Sequence, residues 1–112
     1  MNCIFCRIAS GEIPSDILYQ DEQVIAVRDI NPRAPVHVLV VPRLHIPSMA
    51  EVKAEHELLL GHMVYIGSEM ARKEGIAEKG YRVVINSGPD GRQEVPHLHL
   101  HILGGRLLKG MG

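Results

Sequence analysis

Strand-like segments on both sides of one long helical stretch predict an antiparallel α+β domain with about five strands, one long helix and a short N-terminal helix, running as a single unit over residues 1–112. Three observations carry this expectation. Apolar runs rich in β-branched residues recur before and after the middle of the chain, and residues 51–74 step their apolar side chains at helical spacing. No repeat, low-complexity tract or Ser/Gly-rich linker divides the sequence.

After a short helical start, Gly11-Glu12-Ile13-Pro14-Ser15 reads as a turn. Ile17 to Gln20 and Val24 to Arg28 read as two strands of a hairpin around Asp21-Glu22. The Pro-containing stretch Asn31-Pro32-Arg33-Ala34-Pro35 breaks regular structure, and Val36-His37-Val38-Leu39-Val40-Val41, ended by Pro42, reads as a buried central strand. From Glu51 to about Glu74 the spacing predicts one helix whose inner face carries Leu59, Met63, Ile66 and Met70, ending near Gly75. Tyr81 to Asn86 is a fourth strand, Ser87 to Gly91 a loop, and His97 to Leu103 a fifth strand. His56 and His62 fall on the helix and read as solvent-facing or interface residues.

Composition narrows the function classes. Hydrophobic residues at 46% and charged residues at 22% are ordinary for a globular chain, and one Phe with no Trp makes the core aliphatic. A formal charge of −1 gives no general attraction to nucleic acid or anionic lipid, so phosphate recognition must come from a local site. The N-terminal residues lack the pattern of a secretory signal, and no segment has membrane-spanning length, so the expected location is the cytoplasm. In that compartment Cys3-x-x-Cys6 reads as free thiols, a redox pair or half a metal site rather than a structural disulfide.

The chemistry concentrates in His97-Leu98-His99-Leu100-His101-Ile102-Leu103. Alternation on a strand puts three imidazoles on one face, about 7 Å apart, and the apolar residues on the other. Burying several imidazoles together has no packing advantage over valine or leucine, so the row points to function. It can bind a metal or act on an anion. Asn86-Ser87-Gly88-Pro89-Asp90-Gly91-Arg92-Gln93, just upstream, is a loop of the kind that turns backbone N–H groups toward phosphate oxygens.

With these flanks the sequence resembles the histidine-triad family, whose signature alternates three histidines with hydrophobic residues. Asp29-Ile30, Pro32, Pro35, His37 to Pro42 and His45-Ile46 are similar to the family's first nucleotide-binding half. Gly80 to Asn86 and Gly104-Gly105-Arg106 are similar to its Hint branch. The resemblance implies a homodimer of the HIT-like fold that binds a purine nucleotide and hydrolyses purine nucleoside 5′-phosphoramidates, typified by adenosine 5′-monophosphoramidate. It implies His99 as nucleophile, forming a nucleotidyl-histidine, His101 as a donor to phosphate and His37 as support from the neighbouring strand. Asp29 matches the position that accepts from the ribose hydroxyls, with Phe5, Ile8, Val27 and Ile30 as walls of the base pocket.

Asn86 and the backbone of Gln93 and Glu94 are the phosphate-side candidates, and Glu94 stands where relatives carry Ser. Resemblance to zinc-containing members nominates Cys3, Cys6, His45 and His97 as a structural zinc site, since four protein ligands leave no open position. A dinucleoside polyphosphate hydrolase of the same family is the nearest alternative, and a nucleotide-binding regulatory protein with incidental turnover is another. Neither nucleic acid nor a membrane is an expected partner.

Overall fold

The computed structural model describes residues 3–112; Met1 and Asn2 lie outside the described residues. A short helix, α1 (Ile4–Ala9), precedes β1 (Ile17–Gln20), β2 (Val24–Arg28) and β3 (Val36–Pro42). Two 3-10 turns, Met49–Glu51 and Ala54–His56, lead into the long helix α2 (Glu57–Lys73), followed by β4 (Tyr81–Val84) and β5 (Leu100–Gly104). The strands form one antiparallel sheet in the order β1-β2-β3-β5-β4, so β3, which carries His37, and β5, which carries His101, lie side by side.

Local chemistry sets the boundaries. The Asp21 carboxylate accepts from the Gln23 and Val24 amides at 2.7 and 2.8 Å, closing the β1–β2 turn. Its other oxygen accepts from Tyr19 (2.8 Å) and meets His62 Nε2 (2.7 Å). Burial alone would raise the Asp21 pKa, but these four hydrogen bonds outweigh it and hold the carboxyl below its usual range. His62 therefore ties α2 to the hairpin and is neither plainly solvent-facing nor idle.

α2 ends where Gly75 takes a left-handed φ of 76°. The Gly75 amide donates to Arg72 O and that of Ile76 to Ala71 O, the paired bonds of a Schellman motif. Its start differs from the sequence expectation of Glu51. Val52 and Lys53 are extended, which breaks the segment into two short turns before the helix proper begins at Glu57.

The sheet separates two cores. On one face Val24, Ala26, Val38, Val40, Leu98, Leu100 and Ile102 pack against Met63, Ile66 and Met70 of α2. On the other, Phe5 of α1 meets Ile25, Val27, Leu39 and Val41. Each such side chain fully buried stabilises the fold by about 1.5–3 kcal/mol before entropy is counted, so the larger α2 face fixes the sheet and leaves the α1 face available for a site. Among the described residues no helix is long and apolar enough to cross a membrane.

Candidate active site

The β3–β5 ladder runs from Val36↔Gly104 to Val40↔Leu100, which leaves His97, Leu98 and His99 outside it. The strand expected from His97 therefore starts three residues later. Upstream of the ladder the chain is held by other bonds: the His97 amide to Val95 O (2.8 Å) and the Leu98 amide to Ile46 O (2.7 Å). The alternation of faces survives, with Leu98, Leu100 and Ile102 against α2 and the three imidazoles toward α1. All three are buried, as is His37 from β3.

Hydrogen bonds fix the tautomers of this group. His99 Nδ1–H donates to the His97 carbonyl at 2.7 Å, which makes Nε2 its basic nitrogen. The Arg33 amide donates to His37 Nδ1 at 3.1 Å, so the His37 proton is on Nε2 and is given to His101 Nδ1 at 2.9 Å. His101 then carries its proton on Nε2, a buried atom with no partner among the described residues. A lone pair on His99 thus stands beside an unused N–H on His101, with ring centroids 4.8 Å apart.

Burial, then the neighbouring His99 and His37, push the His101 pKa down to about 4, partly offset by Asp29. Burial likewise lowers His37, against the opposing pull of Asp29. Both rings are therefore neutral near pH 7, and His101 offers a hydrogen bond rather than a labile proton.

His99 and His101 form the floor of a cleft of about 200 Å³. Phe5, Ile8, Val27 and Leu39 line its apolar end, and Phe5 meets the His99 ring edge-on at 5.0 Å. Asp29 and Ile30 stand on the rim, where Ile30 is 85% exposed. The Asp29 carboxylate accepts from the Asn31 amide at 2.9 Å and approaches His37 Nε2 at 3.5 Å. Asn86 and Glu94 line the polar side.

Gln93 engages its polar groups inside the loop. Its amide N–H donates to Gly88 O, its side chain accepts from the Gly88 amide, and its Nε2 donates to Pro47 O and Val95 O. It organises the loop. The loop is tight as well: a Cβ on Gly91 would lie 2.7 Å from Ser87 O.

A second cluster lies next to the histidine row. His97 Nε2–H donates to Pro42 O at 2.8 Å, which points its Nδ1 lone pair at Cys3 Sγ (3.2 Å), Cys6 Sγ (3.6 Å) and His45 Nδ1 (3.1 Å). Ligand atoms around tetrahedral zinc are expected about 3.3–3.8 Å apart, and these contacts lie within a few tenths of an ångström of that spacing, so two thiols and two imidazole nitrogens converge here as a donor set that suits the metal. Burial, then the Cys3 hydrogen bond, push the Cys6 thiol up, a cost that a bound cation removes. Asp29, His37 and His101 also come close together, but both nitrogens of His37 are committed, one accepting from Arg33 and one donating to His101. That group is a hydrogen-bond relay and not a ligand set. His97 thus has a different set of partners from His99 and His101.

The HIT domain family matches this chain over residues 10–108. The chain belongs to the histidine-triad (HIT) family. It is a hydrolase of that family, 44% identical to the HIT family hydrolase of Legionella pneumophila, whose structure it matches with a TM-score of 0.94 over 96% of each chain. It is 52% identical to the purine nucleoside phosphoramidase of Escherichia coli over 108 residues, covering 96% of this chain and 91% of that one. It is 48% identical to the 14 kDa zinc-binding protein of Zea mays, covering 92% and 81% of the two chains.

The HIT cleft also includes residues that sequence reasoning missed: Ile4, Ser15, Arg33, Arg92 and Val95. Arg33 sits in the Pro-containing stretch read as a chain break, yet its amide sets the His37 tautomer and its guanidinium is hydrogen-bonded to Glu94. A cation four residues before a buried histidine was the available signal. Arg92 belongs to the loop read for its backbone; it holds a left-handed φ of 62°.

Proposed function

We propose that this HIT hydrolase is a cytoplasmic, single-domain enzyme, active as a homodimer. It cleaves the phosphorus–nitrogen bond of purine nucleoside 5′-phosphoramidates, of the adenosine 5′-monophosphoramidate type. The observation that carries the reading is the pair of opposed tautomers, a basic His99 Nε2 beside the unpartnered His101 Nε2–H. The E. coli relative's name gives the substrate class.

His99 Nε2 attacks the α-phosphorus, the P–N bond breaks, and the amine departs with a proton taken from water. The nucleotidyl-histidine gains positive charge, which the His97 carbonyl stabilises through the Nδ1–H bond. His101 Nε2–H binds a non-bridging phosphate oxygen as charge builds on it. Water then displaces His99, releasing the nucleoside monophosphate. The base lies along Phe5, Ile8 and Val27, Asp29 accepts from the ribose hydroxyls, and Asn86 faces the phosphate. Neutral His37, fixed by the Arg33 amide, keeps His101 in the donating tautomer.

Cys3, Cys6, His45 and His97 hold a structural zinc ion, which would lock the loop that supplies the His97 carbonyl. Metal analysis of protein supplied with zinc tests this, with about one ion per chain expected. For the dimer, β4 is an outer strand of the sheet, and Leu58, Val64 and Tyr65 of α2 are exposed. Sedimentation should give the mass of two chains.

Specificity constants for adenosine 5′-phosphoramidate and for diadenosine polyphosphates decide the substrate class, and the former should be larger. Rapid quenching with a labelled adenylate ester should place the label on His99. Label on His97 or His101, or wild-type turnover by His99→Ala, would overturn the mechanism.

A further inference from the structure

We propose that Cys3 and Cys6 form a dithiol oxidised by hydroperoxides, and that the resulting disulfide loosens the nucleoside end of the cleft. Both cysteines are half-buried thiols in a C-x-x-C spacing, and all four potential ligand atoms of their cluster lie within 4.8 Å of one another. A small oxidant can therefore reach two sulfurs that lie within 4.8 Å of each other, a gap that side-chain rotation and a shift of α1 would close.

The step balances. One thiolate attacks the O–O bond, forming a sulfenic acid and releasing hydroxide from hydrogen peroxide. The second thiolate attacks that sulfur, forming the S–S bond and releasing a second hydroxide. Two electrons pass from the sulfurs to the peroxide, and a zinc ion held by the pair leaves as Zn²⁺.

The consequence for the cleft follows from what α1 does. Cys3 is the N-cap of α1, its sulfur accepting from the Cys6 amide at 3.5 Å, and Phe5 lies between the two cysteines. The far end of α1 is pinned separately, by Arg43 donating to Ala9 O at 2.7 Å. Its near end is held by the sulfurs against His97 and His45. A disulfide brings the sulfurs to about 2.05 Å and turns both away from those nitrogens. The His45 and His97 Nδ1 atoms, 3.1 Å apart, then face each other with neither a metal nor a thiol between them.

Phe5 transmits the change. Its ring meets His97 at 5.7 Å and His99 at 5.0 Å, both edge-on, while it lines the apolar end of the cleft with Ile4 and Ile8. Movement of the near end of α1 thus withdraws one wall of the base pocket. Movement of His97 also shifts the carbonyl that orients His99.

The zinc-release part of this proposal rests on the metal reading above; the coupling of disulfide to cleft does not. The test treats the full-length protein with hydrogen peroxide, follows zinc with a chromogenic chelator, and maps the mass loss of about 2 Da that one disulfide gives. Calorimetry then reads AMP and adenosine affinity. Both ligands should bind about tenfold more weakly, the scale of one lost aromatic wall contact, and should recover with thiol reductant and zinc. In Cys6→Ser peroxide should leave affinity where it started. In Phe5→Leu oxidation should weaken adenosine by less than about twofold, because the contact it removes is already gone.

Unchanged AMP affinity in protein with a complete Cys3–Cys6 disulfide would overturn the proposal. So would an equal response to peroxide in Cys6→Ser or Phe5→Leu. If the protein never takes up zinc, the metal reading fails, while the comparison of dithiol with disulfide in metal-free protein still decides the coupling.

Discussion

Acidification charges His101 in the unfolded chain well before it does so in the folded one. Burial, with His99 and His37 beside it, holds the folded pKa at about 4, against a usual 6.5. Between these values the unfolded state binds more protons, so stability falls as pH falls. The contribution is fully present above pH 6.5 and is lost on the way down to about 4. With 1.36 kcal/mol per unit, His101 alone should cost about 2 kcal/mol by pH 5 and about 3 kcal/mol by pH 4.

Burial also lowers His37 and His97, so the wild-type loss should be larger than that of His101 alone. Comparison with His101→Asn isolates the contribution of this one ring. Urea unfolding of both proteins in chelator, so that metal release does not contribute, should give curves of stability against pH that converge as the pH drops from 7 to 4.5. Parallel curves would mean that His101 is as easily charged inside the protein as outside. The neutral-donor role given to its Nε2–H would then be wrong.

Asp29→Ala should weaken AMP by about 1–3 kcal/mol and 2′,3′-dideoxy-AMP by less, since only AMP offers ribose hydroxyls; equal losses by calorimetry would place the carboxylate elsewhere. Arg33 holds Glu94 below the usual carboxylate range, so a negative charge stays at the polar side of the cleft at neutral pH. Glu94→Ser should therefore tighten AMP by about two- to fivefold and leave adenosine unchanged; a shared shift would show that the change acts through the loop. Gly91→Ala brings a Cβ within 2.7 Å of Ser87 O and 3.0 Å of Ser87 N, so it should cost about 1–3 kcal/mol in urea unfolding and lower kcat/KM through displaced Asn86 and Arg92. Wild-type values for both would mean that the loop has more freedom than its hydrogen bonds imply.

Periodicity made the fold legible because each face of the sheet meets a different environment. The histidine–apolar alternation leading into β5, and the four-three-four stepping of Leu59, Met63, Ile66 and Met70, record which side meets α2, while the continuous apolar runs of β2 and β3 record burial on both faces. The start of α2 was not legible, because Glu51 to Glu57 has helix-favouring composition and only the extended backbone at Val52 and Lys53 interrupts it. In the site, spacing announced the row of histidines, but its division came only from the family resemblance. His97, His99 and His101 have the same spacing, and what separates them are bonds to Pro42 O, His97 O and His37, all backbone or cross-strand partners that no local pattern records. The hydrogen bonds of Gln93 were illegible for a similar reason, since its amide and side chain are engaged inside the loop.

The two-sided strand that ends in β5 has a consequence for how this chain can vary. Leu98, Leu100 and Ile102 share one side with the methionines of α2, and the imidazoles occupy the other. One inserted or deleted residue ahead of Leu100 would turn the segment inside out, seating histidines among Met63 and Met70 and pushing leucines into the cleft. Core and chemistry would fail in the same event. Length changes in this segment are therefore closed to it, and divergence has to proceed by substitution, one side at a time.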